Sequence, residues 1–343
     1  MSATPGHTDS SPTAGDALAP GAAGTASSAP FAFCDACGPE ARPTAALDRA
    51  DHLRGAPAAL AALWPHARVL LLDRNGHAPT DAAQQLWAPA GAEIDSAGVP
   101  AGAAFLGVDC DGRGWFALDA EGAGKTPHTL DLRSAAALWP AREAAAFAQA
   151  RALQHWRVRH RHCGACGATV AITRAGWAGR CTSCALEHYP RTDPAVIVAV
   201  GDGERLLLGR QSGWPARRYS VIAGFVEPGE SLEQAVAREV MEETGLRIRT
   251  CRYLASQPWP FPGALMLGFI AEAEPGEPQV GDELEEARWF SVDELHGAQA
   301  REHAEYGLDD GGPLLLARIS IARWLIEQWL ADAGHADAAA GAT

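Results

Sequence analysis

The sequence predicts an α/β fold spread over more than one domain. Three observations point there: the length, the spacing of four cysteines, and one acidic helix behind a glycine-rich loop. A chain of 343 residues holds about two domains, or three small ones, at roughly 150 residues each. Hydrophobic residues make up 47% and charged residues 20%, a globular composition long enough to bury real cores. No apolar run approaches the roughly 18 residues that span a bilayer. The net charge is -14, from 28 Lys+Arg against 42 Asp+Glu. Such a surface repels phosphate backbones, which argues against a general nucleic-acid binder. An acidic protein that handles phosphates needs metal ions to bridge the two.

Taken in order, residues 1–40 are rich in Ala, Gly, Ser, Thr and Pro. They cannot bury enough surface to offset their ordering entropy, so a disordered tail is expected. They carry Cys34-x-x-Cys37 without an unassigned second pair. No Lys or Arg precedes Arg42, so the positive n-region of a signal peptide is missing and the expectation is a cytoplasmic protein. Residues 41–135 read as a small α+β domain. Arg68 to Asp73 is a buried-strand run ended by Asn75-Gly76, and Ala103–Val108 and Gly114–Leu118 flank a hairpin turn at Asp109–Arg113. Residues 136–158 are Ala-rich with apolar residues at helical spacing, which predicts a linker helix. The helix runs into His155-Trp-Arg-Val-Arg-His-Arg-His162, a basic cluster. It reads as a phosphate contact or as a solvated helix end, and the second is the simpler account.

Residues 159–190 hold the cysteine quartet. Cys163-Gly-Ala-Cys166 is followed, after 14 residues, by Cys181-Thr-Ser-Cys184. Two tight knuckles converging on one ion make a closed tetrahedral S4 site, which predicts one structural zinc per chain. A ribbon of this kind often binds nucleic acid, so it does not decide function alone.

Residues 191–330 form the main domain. Pro228-Gly229 is a turn, Ser231 is a good N-cap, and Leu232, Ala235, Val236 and Val240 form an apolar stripe. Gly245 suits the left-handed position that stops a helix. On the predicted helix Glu239 and Glu243 lie one turn apart on one face with Glu242 beside them. Carboxylates this close raise one another's pKa unless a cation compensates. Hard oxygen ligands grouped so suit Mg²⁺ or Mn²⁺. The cluster also opposes the helix macrodipole, which makes it a poor structural choice. Residues 331–343 resemble the first tail in composition, and a second disordered end is expected.

The stretch Gly224-x5-Glu230-x7-Arg238-Glu239-Val240-x-Glu242-Glu243-x-Gly245-Leu246 resembles the Nudix box at every defined position. The resemblance implies an α/β/α sandwich around a mixed sheet. It also implies metal-dependent hydrolysis of a nucleoside diphosphate linked to another group. It makes Glu239, Glu242 and Glu243 catalytic and metal-binding, pairs Glu230 with Arg238, and completes the metal site with the carbonyl of Ala223. Downstream, Ser256-Gln257-Pro258-Trp259-Pro260-Phe261-Pro262-Gly263-Ala264 is similar to the motif of NADH pyrophosphatases. There a serine stands where this chain has Ala264. Those enzymes also carry a zinc ribbon before the box and a small N-terminal domain.

That resemblance implies NAD(H) as substrate, cleaved to NMN(H) and AMP, with NAD-capped RNA as a second substrate carrying the same linkage. It marks Gln257 through Ala264, Tyr189, Phe225, Ala322 and Arg133 as substrate-binding, and Glu283 as a further metal ligand. It implies a homodimer. The alternatives are a Nudix hydrolase for ADP-ribose or another dinucleotide, and a zinc-ribbon RNA-binding protein with an inactive Nudix domain.

Overall fold

A computed structural model describes residues 32–33, 47–120, 128–303, 312–315 and 317–340. Residues 1–31, 34–46 with Cys34 and Cys37, 121–127, 304–311, 316 and 341–343 lie outside the described residues.

The first unit holds α1 (Pro57–Leu63), β1 (Arg68–Leu72), β2 (Ala78–Pro79), α2 (Gly91–Ile94), β3 (Ala104–Val108), β4 (Gly114–Asp119), β5 (Thr129–Leu130), α3 (Leu132–Leu138) and α4 (Ala141–Arg159). β4 lies between β1, which is parallel to it, and β3, which is antiparallel. The β3–β4 turn closes because the Asp109 carboxylate accepts from the backbone N–H groups of Asp111 and Arg113. Its other oxygen accepts from the Trp115 indole at 3.0 Å. One sheet face packs Trp64 edge-on against Phe116, with ring centroids 5.1 Å apart. The other carries Leu70, Leu72, Leu106 and Trp115 against Phe147 and Leu153 of α4.

The helix expected over 136–158 is two helices, broken at Trp139-Pro140. A residue before proline is pushed out of the helical region, and Trp139 has ψ 155. The tail expected over 1–40 also needs correction at its end. Ala32 donates its N–H to the carbonyl of Ile319, and Phe33 is buried against Phe261. An aromatic ring offers the burial that the preceding small polar residues lack.

The ribbon is a three-stranded antiparallel sheet of β6 (Val170–Thr173), β7 (Ala178–Cys181) and β8 (Glu187–His188). Its β6–β7 connection docks on the first unit. The Trp177 indole donates to the Phe105 carbonyl at 2.7 Å, and the Arg54 guanidinium lies 3.8 Å from the Trp177 ring centre.

The last unit runs β9 (Asp193–Gly201), β10 (Arg205–Arg210), β11 (Arg218–Tyr219), β12 (Ile222–Phe225), α5 (Leu232–Thr244), β13 (Ile248–Trp259), β14 (Ala264–Ala273), β15 (Glu286–Ser291), α6 (Val292–His303), β16 (Leu314–Leu315) and α7 (Ile321–Ala340). Its mixed sheet has the order β13-β14-β9-β10-β15, with β12 paired to the first half of β9. β14 is parallel to β9, and the other pairs are antiparallel. β9 is apolar on both faces, and its side chains alternate between them. Val196, Val198 and Val200 pack on Val236 and Val240 of α5. Ile197 and Ala199 pack on Ile321 and Leu325 of α7. The sheet therefore lies between helical layers, an α/β/α sandwich. α7 continues through residues 331–340, where a disordered end was expected. The small-residue composition that signals disorder here also has the highest helix propensity, since it is mostly alanine.

Candidate active site and zinc ribbon

The acidic helix is fixed at both ends. Ser231 accepts from the Gln234 N–H while the Gln234 side chain accepts from the Ser231 N–H, a complete capping box. Gly245 stops the helix at φ 69. The loop between β14 and β15 then closes over this end. Gln279 N–H donates to the Thr244 carbonyl and Gly281 N–H to the Glu243 carbonyl. That loop carries exposed Glu283.

Arg238 ties loop to helix. Its Nε and Nη2 donate to the two oxygens of Glu230 at 3.1 and 2.6 Å. Nη2 also reaches the Phe225 carbonyl at 2.9 Å. Nη1 donates to Glu239 and Glu242 at 2.9 and 3.0 Å. The hydrogen bond to Arg238 holds the Glu230 carboxyl below the usual range. Glu239 lies flat on the β12 backbone. A Cβ at Gly224 would fall 1.8 Å from its carboxyl carbon, so a larger residue there must displace the carboxylate.

Glu243 is buried, 7% exposed. Burial first, then the negative charges of Glu239, Glu283 and Glu242, push its pKa up to about 8. Glu239 is raised by burial too, against the opposing charge of Arg238. Glu283 contributes to both shifts, although it lies 40 residues further along the chain. Two buried carboxylates sharing one negative field are stable only protonated or beside a cation. Their oxygen donors fit a hard divalent ion.

Glu243 and Ala223 line a cavity of about 230 Å³ together with Trp259, Met266, Ser320 and Ala322. The cavity joins one carboxylate, that of Glu243, to the indole of Trp259. Trp214 and Gln211 complete its rim. Sequence reasoning missed both, because the β10–β11 turn that carries them has no motif of its own.

The aromatic motif forms the β13–β14 hairpin, with Trp259 paired to Ala264 and Ala264 paired to Asp193. Trp259 and Phe261 meet edge-on at 4.9 Å. Arg133 reaches over from α3, its guanidinium 4.6 Å from the Phe261 ring centre and 5.4 Å from that of Trp259. Pro258, Gly263 and Ala264 line a separate cleft of about 270 Å³ toward the ribbon. Pro260, Phe261 and Pro262 line another with Arg133.

Gln257 points into the interior. It is fully buried, its Nε2 donates to the carbonyls of Ala32 and Ile319, and its Oε1 accepts from Ile321 N–H. The side chain expected to contact substrate here clamps chain segments together. Tyr189 and Phe225 stand on the surface, 54% and 59% exposed. The Tyr189 hydroxyl donates to the Glu187 carboxylate.

In the ribbon the four cysteine sulfurs lie within 4.8 Å of one another. The separations are 3.7 Å for Cys163–Cys184, 3.4 Å for Cys166–Cys181 and 3.5 Å for Cys166–Cys184. A tetrahedral zinc with bonds of about 2.3 Å sets its sulfurs about 3.8 Å apart, so the donor set fits. Backbone N–H groups of Cys184 and Ser183 point at the Cys181 sulfur at 3.4 Å and bring that thiol down to about 6, ready to ligate as thiolate.

Residues 190–309 match the NUDIX domain, and residues 159–189 match the NADH pyrophosphatase zinc ribbon domain. Over 294 residues the chain is 40% identical to the NAD-capped RNA hydrolase NudC of Mycobacterium bovis (strain BCG / Pasteur 1173P2), covering 83% of this chain and 92% of that protein. The chain belongs to the NudC family of Nudix hydrolases. A second NudC relative, from Stutzerimonas stutzeri (strain A1501), is 47% identical over 178 residues, 51% of this chain and 58% of the relative. Among solved structures, a NUDIX hydrolase from Nitrosomonas europaea aligns at TM-score 0.36 and 25% identity, over 46% of this chain and 96% of that one. The Nudix box and the aromatic hairpin lie inside the NUDIX match, and the four ribbon cysteines lie inside the zinc-ribbon match.

Proposed function

We propose that this Nudix hydrolase cleaves the pyrophosphate bond of NADH and NAD⁺ to AMP and NMNH or NMN, and removes the NAD cap from RNA. One observation carries the reading: a single cavity joins Glu243 and Ala223 to Trp259. A dinucleotide needs both ends at once, a charge-neutralising wall for the diphosphate and a flat apolar wall for a base.

Glu239, Glu242 and Glu243, with Glu283 and the Ala223 carbonyl, would hold Mg²⁺ or Mn²⁺. An ion there supplies positive charge to the diphosphate oxygens and acidifies a bound water. Arg238 keeps the glycine-rich loop against the helix so that the carboxylates stay grouped. Trp259, Phe261 and the exposed ring of Phe225 offer stacking surfaces, and Arg133 stiffens the hairpin from behind. Ala264 leaves the hairpin without the hydroxyl that similar motifs carry. Glu243 is the residue on which catalysis depends most.

We read the protein as cytoplasmic and homodimeric. Among the described residues no helix is long and apolar enough to cross a membrane. Exposed Ile172, Leu186 and Tyr189 leave the ribbon with apolar surface for a second copy, which light scattering on the purified protein tests.

The deciding experiment follows products from NADH, NAD-capped RNA and ADP-ribose with each metal in turn. AMP with NMNH from NADH is the expected result. Equal turnover of ADP-ribose would replace this reading with a broader dinucleotide hydrolase. Tight RNA binding without any hydrolysis in Mn²⁺ would leave only a binding protein.

A further inference from the structure

Arg151, His155 and Arg159 recur at every fourth residue of α4 and so share one helix face. That face looks into a cavity of about 440 Å³. Across it stand Pro260, Phe261 and Pro262 of the aromatic hairpin and the Arg133 side chain. The remaining arginine of α4's second half, Arg157, turns away and donates to the Gly102 carbonyl at 2.6 Å.

Two carboxylates face these cations, and both are occupied. Asp131 accepts from the backbone of Arg133 and Ser134 and from the Ser134 hydroxyl, capping α3. Asp73 accepts from the backbone of Asn75 and His77 and stands 3.9 Å from the His77 ring. Among the described residues, neither forms an ion pair with Arg133, Arg151 or Arg159. Arg151 lies against Gly76, where a Cβ would fall 2.0 Å from its Nε. A helix C-terminus favours cations in its last turn, which accounts for Arg159. It does not account for Arg151, which lies two turns inside and is half-buried.

In a chain of net charge -14, a walled cavity lined by three arginines and two histidines, with Asp131 as its one lining carboxylate, is a phosphate site. The two phosphates of a dinucleotide belong with the carboxylates on the other side of the hairpin. A phosphate that enters here belongs to a longer ligand. We propose that this cavity binds the phosphodiester backbone of an RNA chain just beyond its NAD cap, an assignment that rests on the hydrolytic reading above. The hairpin then separates two sites, Trp259 facing the cleaved end and Phe261 the RNA end.

The test uses the full chain with Arg151→Gln, Arg159→Gln and both together. kcat/KM is measured on NADH, on NADPH and on an NAD-capped oligoribonucleotide over a range of salt. The expected result is a roughly tenfold loss on capped RNA per arginine, with NADH unchanged and the salt slope shallower by about one. Equal losses on NADH and capped RNA, or no loss on capped RNA, overturn the proposal. A loss confined to NADPH overturns it in favour of a pocket for a ribose phosphate. Arg159 is exposed, so Arg159→Gln carries the test if Arg151→Gln fails to fold. A wild-type protein inert on every substrate sinks the hydrolytic reading instead. Anisotropy of the capped oligomer then tests the cavity by itself, and equal affinity for wild type and Arg159→Gln overturns it.

Discussion

Glu243 sits where burial and three neighbouring acids all oppose its charge. The folded pKa of about 8 lies above the model-peptide value of 4.5. The proton is therefore held more tightly in the folded chain. Its contribution to stability is full below about 4.5 and is lost as pH rises through about 8. Zinc-loaded protein without Mg²⁺ or Mn²⁺ should lose thermal stability across that window. Glu243→Gln should flatten the loss, with melting curves at several pH values as the check. The same proton must leave before a cation binds, so Mg²⁺ affinity measured by calorimetry should rise toward pH 8. With metal present, Glu243→Gln should lower kcat on NADH by roughly 10²–10³-fold, several kcal/mol of transition-state stabilisation. Gly224→Ala is the counterpart from the opposite side. Its methyl would enter the Glu239 carboxylate, so activity should fall while α5 keeps its helical signal by circular dichroism. These acids were legible in the sequence because one helix turn groups them. Gln257 was not, since an amide in a motif looks the same facing a ligand or facing Ala32 and Ile319. Nor did any local signal point to Trp214 or Ser320, whose place in the cavity depends on how β11 and α7 pack.

Elements with signals inside their own sequence came out clearly. The α5 stripe, its Ser231 cap and its Gly245 stop all act within a few residues, and together they define Leu232–Thr244. Ser231→Ala should cost about 1 kcal/mol in chemical denaturation. Elements set by competition between signals came out less well. Helical periodicity ran straight through Trp139-Pro140, where proline geometry divides α3 from α4. Alanine composition read as disorder where α7 continues through residues 331–340. The ribbon depends on neither periodicity nor composition. Its sheet has few buried apolar residues besides Cys163, Val170 and Cys181, so the ion must supply most of its stability, on the order of 10 kcal/mol.

Across the whole molecule, that ribbon is a strut between two units. Trp177 bonds to Phe105, Arg54 covers its ring, and Arg174 pairs with Asp51 at 3.0 Å. Removing zinc should therefore loosen the first unit too. Hydrogen exchange should speed up in β3 and around residues 51–54 while α5 stays protected. Nothing in the sequence announced these contacts, because each joins residues more than 70 positions apart.

The clasp at Gln257 has a consequence for how the chain is made. One amide gathers Ala32, Ile319 and Ile321. Synthesis releases Phe33 first and Ile321 nearly 290 residues later. At some 5–20 residues per second, the first partner waits tens of seconds for the last. The aromatic hairpin, which has Gln257 on one arm and Phe33 against its tip, reaches its final setting only when α7 has emerged. A nascent chain already displays the whole acidic helix while the wall that would hold a base is unfinished, so cleavage should wait for α7 to emerge.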